Sequence, residues 1–195
     1  MRSIPGIILA AGESKRMGRP KALLPFRDGT FLSVLAETLS AFCDPVIAVF
    51  GFNGDALSQA APRGVTPVVN PRYREGMLTS LQAGLRTLDL DEVDRVLFTL
   101  VDHPAILPST VATLLASDAP IAIPRLGGKR GHPVIVSAAI AREFLAEPLT
   151  AKVRFVIDRH AADIDYLEVS DPGINDDIDD PSLYRSLLER EAARA

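Results

Sequence analysis

Five side chains that can donate hydrogen bonds to a phosphate group follow the first apolar run of the chain. They are Ser14, Lys15, Arg16, Arg19 and Lys21. The preceding run, residues 7–11, is typical of a buried strand, and Gly12 opens a loop at its end. A loop that bends at glycine and presents backbone N–H groups beside ammonium and guanidinium groups can hold a polyanion such as a triphosphate. The pattern predicts such a phosphate loop, and a solvated basic surface loop is the alternative.

Two well-known phosphate-binding signatures do not account for this loop. The P-loop requires lysine and then serine or threonine directly after its second glycine, but Arg19 and Pro20 follow Gly18. The dinucleotide-binding pattern G-x-G-x-x-G requires three closely spaced glycines, and Gly12 and Gly18 have no third partner at that spacing. The loop therefore belongs to neither class.

Asp102 is the first candidate for a metal ligand, because it directly follows the apolar strand predicted for residues 95–101. A carboxylate at the end of a buried strand is costly unless a cation lies beside it. Mg²⁺ is one such cation, since it takes oxygen ligands and commonly links a few carboxylates to nucleotide phosphates. The alternative is structural, with Asp102 capping a turn or the helix that is predicted to begin near Pro108.

A second acidic segment, residues 175–180, contains four aspartates directly ahead of the last predicted helix. They are Asp176, Asp177, Asp179 and Asp180. Acidic residues at a helix N-terminus favour the helix dipole and cap its free N–H groups, so capping is a good structural explanation for this segment. However, a cap needs only one of the four.

Alternating strand and helix patterns predict the elements that must position these residues. Predicted strands cover residues 7–10, 46–50, 65–69, 95–101, 120–124, 133–136 and 164–169, and predicted helices cover 31–42, 53–61, 76–88, 108–116, 138–146, 150–159 and 181 to the end. Thr30 is the expected cap of the first helix, and Pro67 favours an edge position for its strand. The alternation predicts one α/β domain, residues 1–195, whose mainly parallel sheet lies between two helical layers. Sites in such folds gather at the carboxyl ends of strands, so Gly12 and Asp102 are expected on one rim.

The composition limits the classes of partner. The 195 residues carry a net charge of -4 with a pI near 5.4, which argues against general nucleic-acid binding. A single cysteine, Cys43, excludes an internal disulfide, and the three histidines have no zinc-binding spacing. The N-terminal residues enter the first strand without a long apolar leader, and no apolar run is long enough to span a membrane. We therefore expect a cytoplasmic protein with a small anionic ligand.

Several segments together resemble one family of enzymes. Residues 9–21 have the pattern L-A-A-G-x-S-x-R-M-G-x-P-K, and residues 70–85 have N-P-x-Y-x-x-G-M-x-x-S-L-x-x-G-L. Asp102 stands at the start of the family's Asp-Met-Pro segment, residues 131–134 match G-H-P-V, and residues 177–181 resemble D-I-D-T-P with Asp180 in place of threonine. In this order, and over nearly the whole chain, the segments resemble MobA-like NTP transferases, with the molybdenum cofactor cytidylyltransferase group as the nearest form. Ordinary turn and helix-start chemistry is the alternative for residues 70–85 and for the hairpin before Pro133.

The resemblance implies a three-layer α/β/α, Rossmann-like nucleotide-diphospho-sugar transferase fold. It also implies Mg²⁺-dependent transfer of CMP from CTP to the terminal phosphate of molybdopterin, with release of pyrophosphate. The implied nucleotide-binding residues are Leu9, Ala10, Ala11, Gly12, Ser14, Arg16, Asn70, Gly76 and Ser80. The implied catalytic residues are Arg16, Lys21 and Asp102, and the implied acceptor-binding residues are Lys21 and His132. The implied metal ligands are Asp102 and Asp179, with Asp177 as the substitute for Asp179.

Other functions stay open on this sequence. The same fold and loop would suit transfer from GTP or another NTP to a different phosphorylated acceptor, such as a sugar or alcohol phosphate. A non-catalytic nucleotide-binding regulator is the alternative from another class, and the acid pair and basic loop disfavour it. His132 is equally explained as a buried structural histidine. The sequence does not identify the base, the acceptor, the oligomeric state or any molybdoenzyme or chaperone partner.

Overall fold

Parallel pairing dominates the central sheet, as the strand and helix alternation predicts. A computed structural model describes residues 4–193. Its strands are β1 (Gly6–Ala10), β2 (Pro25–Phe26), β3 (Gly29–Thr30), β4 (Val46–Phe50), β5 (Val65–Val69), β6 (Arg95–Leu100), β7 (Ile121–Leu126), β8 (Lys129–Arg130), β9 (Val134–Ser137) and β10 (Ile164–Glu168). The main sheet has the order β10-β7-β9-β6-β1-β4-β5 with β8 paired to β7, while β2 and β3 form a separate hairpin.

One strand on the main path of the sheet, β9, runs antiparallel to its neighbours. It pairs antiparallel with both β6 and β7, whereas β1 is parallel to β4 and β6. The chain passes from β7 to β9 through a short glycine-rich hairpin that contains β8, and a connection this short cannot make a parallel crossover. The mainly parallel sheet is thus confirmed, with β8 and β9 as antiparallel members.

Helices pack on both faces of the sheet because its strands are apolar on both sides. The helices are α1 (Phe31–Ser40), α2 (Gly54–Gln59), α3 (Met77–Leu85), α4 (Pro108–Leu115), α5 (Ala138–Ala146), α6 (Val153–Arg159) and α7 (Pro181–Ala192). Along β1, Ile8 belongs to an apolar core with α1, α4 and α7, and Ile7 belongs to a second core with α3, α5 and α6. This alternation follows from the period of two along a strand. The three-layer α/β/α prediction is confirmed.

Local sequence signals correctly predicted the cap of α1 and the edge position of β5. Thr30 caps α1, since its hydroxyl accepts the backbone N–H of Ser33 at 3.2 Å while its own N–H donates to the Ser33 hydroxyl at 2.7 Å. Pro67 lies in β5, at the edge of the sheet. Helices α1 and α3 end before the predicted residues 42 and 88. Phe42 and Leu88 still pack against the apolar cores, which explains why the apolar pattern extends beyond the helices.

No helix within residues 4–193 is both long enough and apolar enough to cross a membrane. The longest of them, α7, has 12 residues, whereas a membrane span needs about 20 apolar residues. The prediction that the chain has no leader depends partly on residues 1–3, which lie outside the described residues.

Candidate active site

The carboxyl ends of β1 and β6 meet at one cleft. These strands are parallel neighbours with Leu9 beside Leu100, so the segments that follow them emerge on the same rim. The backbone N–H of Val101 donates to the carbonyl of Leu9 at 3.1 Å and fixes the two strand ends relative to each other. The cleft has a volume of about 740 Å³, and Gly12 and Asp102 both line it. Parallel pairing therefore brings together two residues that lie 90 positions apart in the sequence.

The loop after β1 folds around Ser14. This residue has a left-handed backbone conformation with a φ of 51°, and a single 3-10 turn, Lys15–Met17, follows it. The Ser14 hydroxyl accepts a hydrogen bond from the backbone N–H of Lys21 at 3.1 Å. This contact closes the loop and brings Arg16 and Lys21 to the same cleft. Ser14 thus shapes the loop, and its own O–H proton remains available to a ligand.

Four charged side chains form an ion cluster in the cleft lining: Arg16, Lys21, Asp102 and Asp179. The ammonium Nζ of Lys21 lies 3.1 Å from Asp102 Oδ2 and 2.5 Å from Asp179 Oδ1. Arg16 donates to the other oxygen of Asp179. Burial alone would lower the pKa of Lys21, but the two carboxylates outweigh it and raise that pKa. The hydrogen bond from Lys21 in turn lowers the pKa of Asp179, so both groups keep their charge.

The two acids of this cluster, together with Asp177, fit a divalent metal ion. Asp102, Asp177 and Asp179 each offer a carboxylate oxygen, and these oxygens all lie within 4.8 Å of one another. Asp102 Oδ1 is buried and has no hydrogen-bond partner among the described residues. Desolvation, together with the negative charges of Asp102 and Asp179, raises the pKa of Asp177. Crowded oxygens of this kind are the donor set that a hard cation prefers.

The structural alternative for Asp102 does not apply at α4. The N-terminus of that helix is held instead by Asp171, whose Oδ2 accepts the backbone N–H of Leu107 at 2.8 Å and the hydroxyl of Thr110 at 2.6 Å. The backbone carbonyl of Asp102 accepts the N–H of Ile178 at 3.1 Å. Asp102 therefore anchors the acidic segment through its backbone and leaves its side chain in the cleft.

The four aspartates of residues 175–180 make different contacts. Asp180 caps α7, because its carboxylate accepts the backbone N–H groups of Ser182 at 2.8 Å and Leu183 at 3.1 Å. Asp176 pairs with Arg190 of the same helix. Asp177 and Asp179 face Asp102. Capping and metal-ligand geometry both occur in this segment, on neighbouring residues.

The predicted nucleotide-binding residues fall into two groups. Those that line the cleft are Leu9, Ala10, Ala11, Gly12, Ser14, Arg16 and Ser80. Asn70 is buried, and its amide nitrogen donates to the hydroxyls of Thr79 at 2.9 Å and Ser80 at 3.0 Å. Gly76 precedes α3 with a φ of 128°, a conformation that side chains disfavour. Asn70 and Gly76 shape the turn beside the cleft, and direct contact with a nucleotide stays a prediction for all the residues of both groups.

Glu13 is the centre of a polar cluster at the cleft mouth, and the sequence patterns did not predict this cluster. Its carboxylate accepts hydrogen bonds from Lys15 Nζ at 2.9 Å and Arg74 Nε at 2.8 Å. These contacts hold the pKa of Glu13 at about 2. Tyr73, Arg74 and Met77 also line the cleft, and all belong to the N-P-x-Y-x-x-G-M segment. The signal for Glu13 was an acid placed alone within a basic loop.

His132 lies behind the cleft and not in its lining. Its ring packs against Phe98 and His103, with ring centres 6.2 Å and 5.0 Å away. Burial lowers the pKa of His132 to about 3, which keeps the imidazole neutral. His132 is half-buried as a residue, whereas His103 is buried, and His103 Nε2 lies 3.8 Å from Asp102 Oδ1. The ring packing favours the structural alternative for His132, but its Nδ1 has no hydrogen-bond partner among the described residues. Its predicted contact with an acceptor stays a prediction.

Comparison with known proteins agrees with this geometry. Residues 6–164 match the MobA-like NTP transferase domain. The chain is 29% identical to molybdenum cofactor cytidylyltransferase of Escherichia coli K12, over 97% of this chain and 98% of that protein. It is 34% identical to nicotine blue oxidoreductase of Paenarthrobacter nicotinovorans, over 94% of this chain and 96% of that protein.

A solved structure supports the fold. A Mycobacterium tuberculosis H37Rv protein in complex with manganese superposes with a TM-score of 0.76 at 27% identity, over 96% of this chain and 98% of that one. The cleft combines a basic loop with converging carboxylates. The family model matches most of the chain, and the two relatives align with it over nearly their full lengths. The chain belongs to the MobA-like NTP transferase family.

Proposed function

We propose that the protein transfers CMP from CTP to the terminal phosphate of molybdopterin, with Mg²⁺ as cofactor and pyrophosphate as the second product. The observation that carries this proposal is the ion cluster, in which Lys21 joins Asp102 to Asp179 directly beside the phosphate loop. The similarity to molybdenum cofactor cytidylyltransferase over nearly the full length of both chains supports the choice of nucleotide and acceptor.

The phosphate loop binds the triphosphate in this scheme. Gly12 approaches without a side chain, and a Cβ at this position would meet no atom within 4 Å, so the space in front of its backbone is open. Arg16 is two-thirds exposed and reaches the cleft from the loop. Guanidinium groups bind phosphate oxygens through paired N–H donors, which fixes orientation as well as charge. The loop would therefore hold the β- and γ-phosphates in one orientation.

Asp102 and Asp179, with Asp177 beside them, would hold the Mg²⁺ ion. When bound, the ion neutralises phosphate charge and polarises the α-phosphate for attack. The manganese complex of the related structure supports a divalent ion in this fold. The backbone hydrogen bond between Ile178 and Asp102 keeps the two acidic segments together, so the carboxylates are positioned before ligands arrive.

Lys21 would stabilise the extra negative charge that develops on the α-phosphate, or align the attacking phosphate. An oxygen of the acceptor phosphate forms a bond to the α-phosphorus, and the bond from that phosphorus to the bridging oxygen of pyrophosphate breaks. A phosphate acceptor is already ionised near neutral pH, so neither a protein nucleophile nor a general base is needed. Burial lowers the pKa of His103 and of His132 and makes both imidazoles weak bases, which agrees with a reaction that needs no general base.

The name of one relative indicates a second candidate function. The similarity to nicotine blue oxidoreductase is as extensive as that to the cytidylyltransferase, so hydride transfer to an aromatic substrate is the competing proposal. An open cleft at strand ends would also suit a dinucleotide. The ion cluster favours nucleotidyl transfer, because hydride transfer between organic molecules needs no metal-binding carboxylates.

The decisive experiment offers the purified protein each of CTP, GTP, ATP and UTP with Mg²⁺. Each is paired with molybdenum cofactor, with sugar phosphates or with alcohol phosphates, and pyrophosphate release is measured. A parallel assay follows oxidation of NADH and NADPH with nicotine blue as the acceptor. We expect pyrophosphate with CTP and molybdenum cofactor. Preference for GTP would overturn the choice of base, activity with a sugar phosphate alone would overturn the acceptor, and dinucleotide oxidation alone would overturn nucleotidyl transfer.

A further inference from the structure

The ammonium group of Lys21 lies where the proposed metal ion would bind. It contacts Asp102 Oδ2 at 3.1 Å and Asp179 Oδ1 at 2.5 Å, and so lies between the two proposed ligands. A Mg²⁺ ion binds carboxylate oxygens at about 2.1 Å, and bridging these two acids would use the same region of space. The ammonium group and the ion compete for these oxygens.

Lys21 is fixed in this place by packing as well as by charge. Its side chain is only 11% exposed, and its backbone N–H donates to the Ser14 hydroxyl. It begins a 3-10 turn, Lys21–Leu23, whose middle residue Ala22 is buried. The side chain therefore loses little further freedom when it contacts the acids, which makes it a strong competitor for the site.

Charge balance points in the same direction. Arg16 and Lys21 supply two positive charges beside the three carboxylates of Asp102, Asp177 and Asp179. A divalent ion added to this group would change the local balance from one negative to one positive charge. A triphosphate brings about four negative charges, and it would enter the cleft that Arg16 and Lys21 both line. Its oxygens are new partners for the same two cations.

We infer that Lys21 holds the metal ligands closed until a triphosphate draws its ammonium group away, so that metal affinity depends on bound nucleotide. This inference rests on the proposed function, since it takes the ligand to be a triphosphate. The coupling is reciprocal, so the metal raises nucleotide affinity by the same factor. Arg16 makes a second contact to Asp179 and strengthens the effect.

Mn²⁺ binding measured by electron paramagnetic resonance of the free ion tests the inference without any turnover. The wild-type protein is compared with Lys21→Met, which removes the ammonium group and keeps the apolar stem. Lys15→Met is the matched control, because it removes the same charge from the same loop but from a side chain that is 82% exposed and pairs with Glu13. Asp102→Asn shows whether the bound ion is at this site.

Without nucleotide, we expect Lys21→Met to bind Mn²⁺ at least about tenfold more tightly than the wild type. Lys15→Met should change the dissociation constant by less than about twofold, because an exposed charge is screened by salt. The α,β-methylene analogue of CTP should tighten Mn²⁺ binding to the wild type far more than to Lys21→Met. Asp102→Asn should abolish Mn²⁺ binding, whether it is introduced into the wild type or into Lys21→Met.

Three results would overturn the inference: equal affinities of wild type and Lys21→Met, an equal gain in Lys15→Met, or no Mn²⁺ binding by any form. Lys21→Gln is the second variant if Lys21→Met does not unfold cooperatively. The nucleotide-free comparison does not depend on which triphosphate the enzyme uses. A gain in Lys21→Met without pyrophosphate release from any triphosphate would retain the competition and overturn the function.

Discussion

Two polar clusters lie side by side at the end of β6, and they differ in solvent access. The ion cluster, which contains Asp102, lies in the cleft lining. The imidazole pair, His103 and His132, is packed behind it against Phe98. In the ion cluster, the carboxylates raise the pKa of Lys21 and the hydrogen bond from Lys21 lowers the pKa of Asp179, whereas burial lowers the pKa of both imidazoles. Neighbouring residues at one strand end thus make different contacts: Asp102 lines the cleft and pairs with Lys21, whereas His103 packs against His132.

The largest expected effect comes from Asp102→Asn. The amide keeps the size of the side chain but removes the charge that contacts Lys21 and that we propose binds the metal. We expect pyrophosphate release to fall by about 10²–10³-fold or more. Asp55→Asn, at an exposed position on α2, is the control and should keep full activity. Thermal unfolding should show that both variants are folded, and a near-wild-type rate at saturating Mg²⁺ would remove Asp102 from the mechanism.

Lys21→Ala should have the next largest effect, a loss of about 10²-fold in turnover. The variant lacks the cation that would stabilise charge on the α-phosphate. Lys15→Ala is the matched control, because Lys15 contacts Glu13 and is mostly exposed. Together with the expected gain in Mn²⁺ affinity, a slower reaction would separate the two roles of Lys21. A variant that is slower only at low Mg²⁺ would contradict its role in turnover.

The sequence predicted the meeting of Gly12 and Asp102 because parallel strands end on one rim. It also indicated the acidic segment as the second half of the site. It could not distinguish Asp177, Asp179 and Asp180, because their side-chain directions depend on the turn before α7 and on the backbone contact of Ile178 with Asp102. The family motif gave His132 a ligand contact, but its burial against Phe98 depends on the antiparallel insertion of β9.

His132→Phe tests the imidazole pair. Phenylalanine has a similar ring, so we expect turnover to change by less than about threefold. The effect should appear in the pH dependence of stability. The pKa of His132 is about 3 in the folded protein and 6.5 ordinarily, so the unfolded chain binds a proton between these values that the folded chain does not. The free energy of unfolding therefore falls as the pH drops from 6.5 towards 3, by up to about 1.4 kcal/mol per pH unit for this group.

Urea unfolding at several pH values from about 4 to about 7, a range that includes the ordinary histidine pKa, measures that slope. His132→Phe should flatten the acidic decline relative to the wild type. His160→Gln is the control of opposite sign, because the hydrogen bond to Glu143 raises the pKa of His160, and its contribution is lost as the pH rises. If the free energy of unfolding depended on pH equally in His132→Phe and the wild type, the ring of His132 would be solvated in the folded protein. A large rise in the KM of His132→Phe for the acceptor would support the predicted acceptor contact.

The smallest expected effect separates two adjacent acids, Asp179 and Asp180. Asp180→Ala removes the cap of α7 and should lower Tm by a few degrees while leaving turnover nearly unchanged. Asp180→Asn should retain most of that stability, since asparagine also caps helices well. Asp179→Ala should do the reverse and reduce turnover with little change in Tm, because Asp179 contacts Lys21 and Arg16 at the cleft. If Asp180→Ala lost activity as strongly as Asp179→Ala, turnover would depend on the charge of the whole segment. The separate assignment of helix capping to Asp180 and of metal binding to Asp179 would then be wrong.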